Sequence, residues 1–141
     1  MMIRVLLAAA LAALAAPALA QRLAADLDCK PTKQALVYDC RIALKESGSG
    51  KPVSGAEVSV GADMPSMPMA HNVRPAKAAP TKQPGEYAAR IELEMHGEWA
   101  VKLRVGGPVR DQLILHYEFD EKGAKRAMRG AGHGPHGAKH Q

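Results

Sequence analysis

LAADLDCKPTKQALVYDCRIAL, residues 23–44, decides the fold. Leu23, Ala25, Leu27 and Cys29 alternate with polar or small residues, and so do Tyr38, Cys40, Ile42 and Leu44. A period of two is the mark of a strand with one buried face. When the two segments run antiparallel with Cys29 opposite Cys40, Leu27 falls opposite Ile42 and Ala25 opposite Leu44. Every inward residue then meets an inward residue, as a buried sheet face demands. Directly opposed strand residues lie roughly 4.5–5.5 Å apart at Cα, within disulfide range. This register predicts a Cys29–Cys40 bridge, which contributes roughly 3 kcal/mol by constraining the unfolded chain. A bridge in turn fits an oxidising compartment. A metal-binding or redox cysteine pair is the alternative, although the spacing is not C-x-x-C.

The N-terminus gives the same address. Arg4 is followed by an apolar run from Val5 to Ala16, and Ala18-Leu19-Ala20 supplies the small residues of a cleavage site. Residues 1–20 therefore read as a cleavable signal peptide, and the expected location is periplasmic or secreted. The alternative is an uncleaved anchor, but the Ala-rich stretch ends short of the ~20 residues that span a bilayer. Cleavage leaves residues 21–141, enough for one domain with a modest core and a tail. No stable membrane insertion is expected after cleavage.

Beyond residue 44 the chain reads as short strands between turns. Glu46–Lys51 (ESGSGK) is a Gly/Ser turn and not a phosphate loop, because Lys45 and Pro52 stand where that motif needs Gly and Ser or Thr. Ala56, Val58, Val60 and Ala62 form an inward series. Five of the ten prolines fall within residues 63–84, which argues against a long regular element there. Tyr87, Ala89, Ile91, Leu93 and Met95 then share one face, and Trp99, Val101, Leu103 and Val105 another. A three-residue connection at His96-Gly97-Glu98 predicts a hairpin in which Met95 meets Trp99 and Ile91 meets Leu103. Residues 112–119 make a last strand, with His116 opposite the Leu113 and Leu115 face. The expected fold is an immunoglobulin-like antiparallel β-sandwich of about seven strands over residues 21–120, with a small barrel as the alternative.

Residues 121–141 turn to Gly, Lys and His without periodicity and read as a disordered tail. The formal charge is +5, and much of the excess sits in Lys122, Lys125, Arg126, Arg129 and Lys139. One Phe, one Trp and no aromatic–basic interleaving favour a solvated tail over a nucleic-acid arm, so no nucleic-acid partner is expected. His133, His136 and His140 are tail metal candidates, because flexible Gly-rich histidine tracts bind divalent transition metals weakly.

The unusual chemistry lies in Asp63-Met64-Pro65-Ser66-Met67-Pro68-Met69-Ala70-His71, which holds three of the seven methionines. Thioether sulfur is a soft ligand that persists where thiols are lost to disulfides, and with imidazole it suits Cu(I). Met64, Met67, Met69 and His71 are the candidate ligands. In an extended chain Met67, Met69 and His71 project to one side, ~6.5–7 Å apart. Met95 and His96 join them if the strands alternate so that both loops share one end. Against this stands a packing role, in which Met-Pro repeats plug the end of a sandwich.

The ordered set GKPVSGAEVSV (50–60), MPSMPMAH (64–71), PGEY (84–87) and Met95, Gly97, Trp99 and Val101 resembles the YtkA-like family, related to FixH-like domains. The resemblance spans about residues 50–119. It implies a β-sandwich, export or membrane association, no catalytic activity, and links to copper handling or to assembly of copper-containing respiratory enzymes. The implied partner is a copper-acquiring or respiratory membrane protein. The chain differs from membrane-bound FixH-like proteins in its expected loss of an anchor.

No nucleophile elbow, H-E-x-x-H or dinucleotide fingerprint is present, so no enzyme is expected. The expected function is carriage or buffering of Cu(I) outside the cytoplasm. The competing expectation is a metal-free accessory module that contacts a membrane complex.

Overall fold

The computed structural model describes residues 23–128 except Pro68. The signal-peptide reading therefore lies outside the described residues, as do His133, His136 and His140. Eight strands follow one another: β1 (Leu23–Pro31), β2 (Val37–Glu46), β3 (Glu57–Asp63), β4 (Asn72–Pro80), β5 (Glu86–Glu92), β6 (Gly97–Gly106), β7 (Asp111–Asp120) and β8 (Gly123–Arg126). They are hydrogen-bonded in the order β1-β2-β5-β4-β3-β6-β7-β8, and every pairing is antiparallel. The sheet folds over so that its two halves enclose one core, giving an all-β, sandwich-like and nearly barrel-like fold.

The first hairpin has the register read from the sequence. Cys29 pairs with Cys40, Leu27 with Ile42 and Ala25 with Leu44. The Cys29–Cys40 disulfide is present, its Cα atoms 4.0 Å apart. Both cysteines are buried with Leu27, Ile42 and Leu44.

The second hairpin does not form. Tyr87, Ala89, Ile91 and Leu93 do point inward, as do Trp99, Val101, Leu103 and Val105. However, β5 pairs with β2 and β4, whereas β6 pairs with β3 and β7. The 93–96 connection is an arch from one half of the sandwich to the other, and Met95 is not a ladder partner of Trp99. Instead the Trp99 indole N–H donates to the Met95 carbonyl across the arch at 3.2 Å, with the ring fully buried.

Two elements escaped the sequence. β4 runs through the proline-rich region, because Pro75 coincides with a β-bulge: Val60 pairs with Ala76, but Ala62 pairs with Val73. A bulge tolerates the missing N–H. β4 then leaves β3 and meets β5 through Ala79–Ala88 and Pro80–Tyr87, so it is the corner that joins the two halves. β8 lies within the segment read as tail, which corrects the expected start of that tail at 121. Its first residue, Gly123 (φ +134°), sits where a Cβ would lie 2.5 Å from the Cys29 carbonyl oxygen, so a side chain is excluded.

The open side of the fold is closed by side chains. The Leu23 N–H donates to Asp111, the Leu27 N–H to the Tyr117 hydroxyl, and Arg126 to the Ala25 carbonyl. These bonds satisfy β1's outer backbone edge, which would otherwise invite another strand. Inside, Tyr38 packs edge-on against Phe119 and donates its hydroxyl proton to the Asp120 carbonyl.

Candidate metal-binding end of the sandwich

Val58, Val60 and Ala62 point into the core from β3, and Met64 continues the same period-two series. Met64 is accordingly buried at 4% exposure, its methyl group against Gly97. Gly97 has φ +133°, and a Cβ there would lie 3.1 Å from the Met64 Cε. Met64, one of the four candidate ligands, therefore packs in the core, apart from the exposed methionines of the loop.

Pro65 ends the strand series. The Met67 N–H donates to the Met64 carbonyl at 3.0 Å, a turn with Pro65 at its second position, where a fixed φ is favoured. The Ala70 N–H donates to the Met67 carbonyl at 3.1 Å, and the Met64 N–H donates to the His71 carbonyl at 3.3 Å across the base. The segment is thus a coiled loop rather than the expected extended one, and the even i, i+2, i+4 projection is lost. Coiling turns the later side chains outward. Met67 is 40% exposed and Met69 is 93% exposed.

His71 is partly buried at the foot of the loop. Its Nδ1 faces the Glu94 carboxylate, which when ionised can only accept, so Nδ1 donates and the neutral ring presents the Nε2 lone pair to a ligand. Nε2 has no partner among the described residues. Metal-binding imidazoles are commonly oriented in this way, by a carboxylate on the other ring nitrogen. Glu94 was not legible as a site residue, because at an outward strand position it looks like any solvent-facing glutamate.

The His71–Glu94 and Met64–Gly97 contacts bring the β3–β4 loop and the β5–β6 arch to one end of the molecule, as the strand alternation predicted. Met95 is 37% exposed at this end, and His96 is exposed beside it. At the loop's base Asp63 is held by Lys102. His116 lies on the outer face of β7, with its Nδ1 3.0 Å from Glu98, as a partly packed strand residue. Among the described residues no three His, Cys, Asp or Glu side chains are grouped to hold an ion. Any metal chemistry at this end therefore rests on sulfur together with imidazole.

The sequence model of the YtkA-like family matches residues 25–104, from within β1 to near the end of β6. The chain belongs to the YtkA-like family. The match contains both cysteines, the Met-Pro loop and the arch, whereas β7 and β8 lie beyond it. No curated protein and no solved structure matches the chain.

Proposed function

We propose that this YtkA-like protein works outside the cytoplasm as a carrier or buffer of Cu(I), held by Met67, Met69 and His71, with Met95 and His96 as neighbouring ligands. One observation carries the reading. Two thioethers stand in solvent on the same loop as an imidazole whose Nδ1 is occupied by Glu94. Large apolar side chains gain by burial, so two exposed methionines on a turn that buries a third are unexplained by packing. Soft neutral sulfur and imidazole select Cu(I) over hard cations. Ligands on an exposed loop also permit exchange, which suits cargo passed to a partner such as a copper-acquiring or respiratory membrane protein. The chain's residues contribute binding and orientation, and no catalytic step is required of them.

Titration of the purified protein with Cu(I) against a competing chelator tests the proposal. A Met67→Ala/Met69→Ala variant is expected to lose at least about tenfold in affinity, and Glu94→Gln about tenfold through the loosened imidazole. Met64→Leu should bind as the parent does. Equal, weak retention by all variants would instead favour the metal-free accessory module.

A further inference from the structure

The outer faces of the two halves treat charge differently. On the β2–β5 side the guanidinium groups are matched: Arg41 reaches Glu86 at 2.8 Å, and Arg90 forks onto Asp39 at 2.8 and 3.0 Å. On the other half Lys77, Arg104 and Arg110 have no ion-pair or hydrogen-bond partner among the described residues. All three line one open groove of about 650 Å³.

The register explains how they converge. Ser59 pairs with Lys77 on one side and with Arg104 on the other, and Arg104 pairs with Gln112. These four form one row across β4, β3, β6 and β7. Ser59 lies between the inward Val58 and Val60, so its row faces out. Adjacent strands are ~4.8 Å apart, which sets the Lys77 and Arg104 backbones ~10 Å apart with the Ser59 hydroxyl between them. Arg110 enters from the β6–β7 turn.

Two carboxylates also line the groove, but they are not equivalent. Asp111 is committed: Oδ2 accepts the Leu23 N–H at 3.0 Å and Oδ1 the Gln112 N–H at 2.8 Å. Both carboxylates keep their charge, so three cations face two anions and the groove retains a net positive excess.

We infer that this groove binds a phosphate group. Two guanidinium forks and an ammonium supply charge-assisted donors, and Ser59 and Gln112 add neutral ones, a set matched to a multiply charged tetrahedral oxyanion. The site is separate from the Met-Pro loop. Glu57 begins β3 and Asp63 ends it, a span of six residues or ~20 Å, so the two sites occupy opposite ends. Arg110 and Gln112 also lie beyond the stretch that matches the family.

The full chain is titrated at low ionic strength with inorganic pyrophosphate and, separately, with phosphatidylglycerol/phosphatidylcholine vesicles. Saturable binding to either probe is expected, and which one binds distinguishes a free phosphate from a lipid headgroup. Arg104→Gln and Lys77→Gln should each weaken it about tenfold, the scale of one hydrogen bond to a charged group. Glu57→Gln should strengthen it about threefold by removing an opposing charge. Lys82→Gln, at an exposed lysine outside the groove, should leave it unchanged. The inference is overturned by binding to neither probe, by a Lys82→Gln effect as large as that of Arg104→Gln, or by binding to an acidic polyglutamate peptide alone.

Discussion

The β1–β2 and β3–β4 hairpins both carry sulfur, and they place it differently. In the first, Cys29 and Cys40 occupy directly opposed inward positions and close a buried bridge. In the second, the inward series ends with Met64 at 4% exposure, and two turns later Met69 stands at 93%. The difference is one of phase. Where period-two alternation continues, sulfur packs or bonds inside the core. Where Pro65 breaks the alternation, the following thioethers are released to solvent. One hairpin uses sulfur for stability, and the other leaves it available to a ligand.

The largest expected effect tests the structural half of that contrast. Replacing both Cys29 and Cys40 with Ala should destabilise the fold by about 3 kcal/mol in chemical denaturation, the loop-closure value for this separation. Met64→Ala should follow at about 2–3 kcal/mol, toward the low end for a buried methionine because the loop above it can settle. By contrast, Met67→Ala and Met69→Ala should each change stability by less than about 0.5 kcal/mol, as exposed positions do. A stability loss at Met69 comparable to that at Met64 would erase the distinction between the base and the tip of the loop.

A smaller effect separates the first hairpin by pH. The Asp39 carboxyl on β2 is held below its ordinary range chiefly by the hydrogen bonds from Arg90. Glu86, further along the partner strand β5 and opposite Ala43, is held low chiefly by the Thr81 hydroxyl and then by Arg41. A carboxyl with a depressed folded-state pKa binds protons less readily than in the unfolded chain. Its stabilisation is therefore present above the ordinary carboxylate range, near pH 4, and is lost as pH falls through the lower folded values. Melting temperature should fall modestly below about pH 4, and less steeply in Asp39→Asn than in the parent.

How much was legible follows from the same physics. The β1–β2 register was readable to the residue, because alternation sets which side chains face inward and the cysteine pair names the partner strand. Alternation in β5 and β6 was equally clear, and the inward residues were right except Met95, which lies exposed on the arch, yet the partners were not. An inward series says which face is buried but not which half of a sandwich holds it, so an arch and a hairpin look alike. Trp99 illustrates this: its burial was visible, while its bond to the Met95 carbonyl depends on the arch. β4 was hidden because Pro75 is admitted only by a bulge that forms against Gly61. β8 was hidden because Gly-Ala-Lys-Arg carries no alternation, and its place comes from distant partners, Arg126 reaching Asp26 and Ala25 on β1. At the candidate site the loop and its shared end with Met95 and His96 were legible. The inward turn of Met64 was written in the Val58-Val60-Ala62 series but was masked by the Met-Pro repeat. Glu94 carried no signal at all.

The most direct test of the copper-binding proposal follows each methionine separately. With ¹³C-methyl-labelled methionine, NMR spectra recorded as Cu(I) is added should show the Met67 and Met69 methyl signals shifting together and saturating at one ion per chain. The Met64 signal should stay at its buried position. Unmoved Met67 and Met69 signals under stoichiometric Cu(I), or a shift confined to Met64, would contradict the proposal that the exposed thioethers of this loop hold the metal.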